Sequence, residues 1–175
     1  MIIDEVLGIQ KIKDSSIRIT TRQAVRAVII QDNKILMVHT NRGDYKFPGG
    51  GIKKDESREQ ALRREVTEET GYIVNEMKEQ AGTIIQRNPN QFDTNGIFQM
   101  TSYYYFCSVK ANTTEQHLDK YEQDQEFIPV WMEIDDVIAK NEAILTQKNS
   151  HVNPWVYRET IALRRIKEAM EASEA

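Results

Sequence analysis

Three glutamates carry the chemistry this sequence can offer. Glu65, Glu68 and Glu69 fall in the run Arg64-Glu65-Val66-Thr67-Glu68-Glu69. On a helix, spacings of i, i+3 and i+4 place them within about one third of the circumference. Like charges so placed destabilise a helix by a few tenths of a kcal/mol per pair, and by more where the face is partly buried. A divalent cation reverses that cost. Carboxylates are hard oxygen ligands suited to Mg2+ or Mn2+, and Mg2+ keeps waters and substrate phosphates in its shell. A helix rich in Glu and Arg is otherwise a solvated face held by i,i+4 pairs, so the residues upstream decide between the two readings.

Upstream stands the run Lys46-Phe47-Pro48-Gly49-Gly50-Gly51, then Glu56, and downstream of the glutamates come Gly71 and Tyr72. The pattern Gly50, Glu56, Arg64-Glu65-Val66, Glu68-Glu69, Gly71-Tyr72 resembles the Nudix box, and Phe47-Pro48-Gly49-Gly50 is similar to the lead-in of many members of that family. Tyr72 stands where an aliphatic residue is usual. The resemblance implies an α/β/α sandwich with a mixed central β-sheet, and an enzyme that hydrolyses a nucleoside diphosphate linked to another moiety. It implies that the Gly50 carbonyl, Glu65, Glu68 and Glu69 hold the metal, and that Arg64, through an ion pair to a glutamate such as Glu56, orients a ligand. Glu65 is open to a second role, acting on water. The other source of a general base is the loop Glu115 to Phe127, where Glu126, immediately before a strand, is the expectation over Glu122 and Asp124. The alternative function is a binding module of the same fold that senses a nucleotide without turning it over.

The elements that must position these groups are legible in outline. Ser57 and Gln60 form a capping box and Gly71 suits a left-handed cap, so the acidic helix runs between them. Leu62 and Val66 anchor it to a sheet, with Arg58 and Arg63 elsewhere on its surface. The stretch from Ala24 to Thr40 predicts a hairpin around Asp32-Asn33. The runs GTIIQR, IFQMTSYYYFCSV and FIPVWM predict further strands. Helices follow over Asp135 to Ala143, capped by Asp135, and over Pro154 to Met170, capped by Asn153. Recognisable features extend from about Gln23 to Ala143. The first twenty residues and the last helix lie outside the motif, within what reads as a single domain over residues 1–175.

With 23 Lys and Arg against 27 Asp and Glu, the net charge of −4 argues against non-specific nucleic-acid binding and leaves small anionic substrates open once a metal neutralises them. The lone Cys107 sits in an apolar run, as a buried structural thiol would, and excludes a disulfide within the chain. No window is long and apolar enough to span a membrane, and the N-terminus has no targeting core, so the expected location is cytoplasmic. Arg26, Arg42, Lys46, Lys53 and Arg87 are the candidate phosphate contacts. Phe47, with Tyr45 and Tyr103 to Tyr105, is a candidate for stacking on a base, although alternation turns about half of the tyrosine run into the core. The apolar face of the last helix, with Trp155, Ile161, Leu163 and Ile166, packs on the domain or makes a homodimer. The substrate is left open among nucleoside triphosphates, ADP-ribose or sugar nucleotides, and other organic pyrophosphates.

Overall fold

The computed structural model describes residues 1–147 and 152–174. Seven strands, β1 (Ile3–Gly8), β2 (Arg18–Gln31), β3 (Lys34–His39), β4 (Tyr45–Lys46), β5 (Tyr72–Pro89), β6 (Gly96–Thr113) and β7 (Ile128–Met132), form a mixed sheet. The order is β1-β5-β6-β2-β3-β4, with β7 also pairing β3. β1 runs parallel to β5 and β2 parallel to β6, and the remaining pairings are antiparallel. The helices are α1 (Arg58–Thr70), α2 (Lys120–Asp124), α3 (Ile134–Thr146) and α4 (Val156–Glu174).

Two apolar cores sandwich the sheet, as side chains that alternate between its faces require. On one face Ala61, Leu62 and Val66 of α1 meet Val25, Ala27 and Ile29 of β2 and Tyr105 and Cys107 of β6. On the other, Val137 of α3 and Ala162, Leu163 and Ile166 of α4 cover Val28, Met37, Phe47 and Tyr104. The tyrosine run is therefore divided between the two cores, with Tyr104 buried in one, Tyr105 buried in the other, and Tyr103 half-buried beside Tyr105. Tyr104 meets Phe47 edge-on at 5.4 Å, and Tyr103 lies beneath the Arg58 guanidinium at 3.5 Å.

The hairpin turns at Asp32 and Asn33, whose φ of 50° and 60° match a type I′ turn. The strand after the box begins at Tyr72, well before the GTIIQR run. Its first half pairs with β6 through four register shifts between Tyr72 and Gly82, and these bulges erase the alternation that sequence patterning reads. The N-terminal residues, outside the motif, supply the edge strand β1. α3 starts at Ile134 with Glu133, not Asp135, at the cap position and no side-chain cap bond; Asp135 and Asp136 instead lie in the first turn, where the helix dipole favours them. α4 starts at Val156. Asn153 offers its carbonyl to the Val156 amide, but its side chain is turned to Asp44 and Gln125.

Candidate active site

The glycine run is laced along β2 like an extra strand. Ala27 donates to the Pro48 carbonyl, Val25 to Gly50 and Ile52 to Gln23, and Ala24 bridges Gly51. Gly50 has no room for a side chain, because a Cβ would stand 2.5 Å from the Glu65 carboxylate. Gly49 is constrained differently, with φ of 141° and a Cβ position 2.1 Å from the Val25 carbonyl. The expected metal-ligand carbonyl of Gly50 is engaged with the Val25 amide at 3.0 Å. That bond uses one of the two lone pairs of the carbonyl oxygen, and the missing side chain lets Glu65 approach the strand closely.

α1 begins and ends where its capping signals place it. Ser57 accepts from the Gln60 amide while the Gln60 side chain accepts from Ser57, and Gly71 closes the helix at φ of 73°. A Cβ on Gly71 would meet the Thr114 carbonyl at 2.3 Å. That close passage lets the 114–117 segment lie on the end of the helix, where Gln116 and His117 donate to the carbonyls of Glu69 and Glu68. The segment delivers α2 to the acidic face.

Glu65, Glu69 and Glu122 converge there, with one carboxylate oxygen of each within 4.8 Å of the others. Glu65 and Glu69 are 9% and 2% exposed. Burial lifts the Glu69 carboxyl to about 7 against the opposing pull of Lys46, whose ammonium lies 2.5 Å away, and of the Gly49 amide. Burial also raises Glu122, which holds its place by accepting from the Asp119 amide in the capping box of α2. Three converging carboxylates, two of them buried and only one of them, Glu69, paired with a lysine, fit a hard divalent cation.

Arg64 organises the rest. Its guanidinium forks onto Glu56 at 2.7 and 2.9 Å and reaches Glu65 at 2.7 Å, Glu68 at 3.1 Å and the Gly51 carbonyl at 3.1 Å. These bonds hold Glu56 down to about 2 and raise Arg64 itself, Glu56 being the main cause. Glu68 borders the cavity beside Glu65, but it lies outside the three-oxygen group.

Other sequence candidates are placed differently. Glu126 is exposed, in a left-handed turn at φ of 52°, and lies outside the carboxylate group that Glu122, four residues earlier, joins. Phe47 is fully buried against Tyr104 and cannot stack on a ligand. Lys46 is 5% exposed and committed to Glu69 and the Gly49 carbonyl. Arg87 braces the sheet edge through Gln99, Ile9 and Gln10 and lines neither the acidic cavity nor the neighbouring slot. Arg42 donates to Asn153. Lys53 remains at the rim of the acidic cavity, and Arg26 lines a neighbouring slot while donating to the Gly49 carbonyl at 2.6 Å.

Residues at the start of α4 escaped the sequence reading as site residues. Glu159, fully buried, accepts from the Phe47 amide, Tyr104 and Arg158 and so clamps the glycine run from behind. Trp155 donates to Asp44 and lines the slot. An Arg-Glu pair on a helix reads as surface charge, and only tertiary packing turns it inward.

The family model of the NUDIX domain matches residues 20–156. A CTP pyrophosphohydrolase from Escherichia coli (strain K12) is 36% identical over 75 residues, a stretch covering 36% of this chain and only 56% of that protein. A NUDIX hydrolase from Nitrosomonas europaea superposes with a TM-score of 0.60 at 24% identity, over 86% of this chain and 90% of that one. A MutT NUDIX hydrolase from Burkholderia pseudomallei gives 0.58 at 20% identity, over 84% and 98%. The sheet wrapped by helices and the arginine-ordered carboxylate face are those of a Nudix domain, and the chain belongs to that family.

Proposed function

We propose that this protein is a divalent-cation-dependent pyrophosphohydrolase acting on nucleoside triphosphates or related nucleoside diphosphate derivatives. The observation that carries this reading is the convergence of Glu65, Glu69 and Glu122 within 4.8 Å beside a cavity of about 430 Å3 that Arg22, Lys53 and Arg64 also line. The partial match to a CTP pyrophosphohydrolase supports a nucleoside triphosphate.

Glu65, Glu69 and Glu122, with Glu68 alongside, would hold Mg2+ or Mn2+. Such an ion, when bound, neutralises charge developing on the phosphates and acidifies a bound water. Arg64 fixes the Glu65 and Glu68 rotamers, and its own plane is fixed by Glu56. Lys46 and the Gly49 amide hold the two Glu69 oxygens. Arg22 and Lys53 supply positive charge at the rim for the phosphate chain. In the reaction a water oxygen bonds to phosphorus, the bridging P–O bond breaks, and the water proton passes to a carboxylate of Glu65 or Glu122. No step requires a covalent enzyme intermediate.

Incubation with a panel of nucleoside triphosphates, ADP-ribose and sugar nucleotides, with Mg2+ or with EDTA, tests the reading. The expected result is release of nucleoside monophosphate with Mg2+ alone. Ligand binding without product over long incubation would favour the sensing module instead.

A further inference from the structure

Beside the acidic cavity lies a slot of about 320 Å3, and Arg22 and Gly51 line both. A molecule with its phosphates at the carboxylates extends naturally into this slot, an expectation that rests on the pyrophosphohydrolase reading. Phe98 and Met100 of β6 line it together with Trp155, which leads into α4. Broad apolar side chains of this kind suit a flat ring.

Two guanidinium groups line the slot, Arg26 and Arg158, only 7% and 5% exposed. Their shared buried counter-charge is the single carboxylate of Glu159, while the nearby Glu69 is matched by Lys46. Two cations therefore face one anion. The Arg26 Nε–H has no hydrogen-bond partner among the described residues. A buried donor without a partner is costly, and a ligand acceptor relieves that cost. Glu159 offers nothing to a ligand donor, because its oxygens already accept from Phe47, Tyr104 and Arg158. The buried end of the slot, where Arg26 and Arg158 stand, is thus rich in donors, and the side-chain acceptors that line the slot, the amides of Gln86 and Asn88, are half-buried and exposed.

We propose that this slot selects nucleobases that present carbonyl oxygens, namely cytosine, uracil and guanine, over adenine, with Arg26 as the specificity-determining donor. A guanidinium forks onto two adjacent acceptors, O6 and N7 of guanine or O2 and N3 of cytosine, or onto a carbonyl of uracil, whereas adenine has no carbonyl and its exocyclic amine flanks the acceptor on both its Watson–Crick and Hoogsteen edges.

The test is calorimetric binding of CMP, UMP, GMP and AMP to the full chain without added metal, so that it reads the slot and not turnover. The three carbonyl nucleotides are expected to bind about tenfold or more tighter than AMP. In Arg26→Gln that preference is expected to fall to about twofold or less, while Phe98→Ala weakens all four alike and keeps the preference. Binding of AMP within about twofold of the others, or no binding of any of the four at millimolar concentration, overturns the proposal. An unchanged preference in folded Arg26→Gln does so too. If Arg26→Gln does not fold, the wild-type ratio decides alone. Loss of the hydrolase reading would show separately, as intact selective binding with no turnover of any triphosphate.

Discussion

Replacing Glu56 by glutamine removes the charge that fixes Arg64 and leaves the shape nearly unchanged. The Glu56 and Arg64 side chains are 14% and 20% exposed, joined by two bonds of 2.7 and 2.9 Å. Glu56 is lowered from 4.5 to about 2, which corresponds to about 3 kcal/mol of preference for the charged form. Screening at this partly open site reduces that to about 2 kcal/mol. Because the folded value lies below the unfolded one, the stabilisation is full above about pH 5 and declines as pH falls through 4.5 toward 2. Urea unfolding of wild type and Glu56→Gln at pH 7 and pH 3 measures it. The variant is expected to be about 2 kcal/mol less stable at pH 7, with the gap reduced by more than half at pH 3. Taking the difference between the two proteins cancels the carboxylates they share. A gap equal at both pH values would refute the electrostatic account and leave only packing.

Other consequences follow from the same geometry. Gly50→Ala puts a methyl group 2.5 Å from the Glu65 carboxylate, and kcat/KM should fall by about tenfold or more in steady-state assays through displacement of that group. Glu122→Gln should lower kcat by about a hundredfold, whereas Glu126→Gln, altering an exposed side chain outside the cluster, should leave turnover nearly unchanged. Glu69 is lifted to about 7 by burial, so a cation must displace its proton at lower pH. Titration with Mn2+ followed by electron paramagnetic resonance should show affinity falling by about tenfold per pH unit below that value.

The acidic helix was readable from sequence because its determinants are local. Ser57, Gln60 and Gly71 fix its ends by contacts within a few residues, and the spacing of Glu65, Glu68 and Glu69 fixes a face. What escaped depends on distant partners. Glu122 and Glu126 look equivalent in an acidic segment, and the difference is made by the cap at Asp119 and by the bonds of Gln116 and His117 to the end of α1. Lys46 and Phe47 read as exposed loop residues, yet the loop is folded against Glu69 on one side and Tyr104 on the other. β1 has no sequence signal of its pairing because its partner β5 lies some eighty residues away, at Ile3 opposite Gly82. The slot wall formed by Trp155 and Arg158, with Glu159 behind it, is set by α4 packing over the sheet, which no local pattern encodes.

The central claim is that the arginine-ordered carboxylates support phosphoanhydride hydrolysis through a divalent cation. Phosphorus NMR of CTP with the wild-type protein tests it directly, with Mg2+ present at first and EDTA added midway. The account predicts CMP and pyrophosphate accumulating until chelation and then stopping, and no turnover by Glu69→Gln under the same conditions. Turnover that continues after chelation, or that survives in Glu69→Gln, would contradict it.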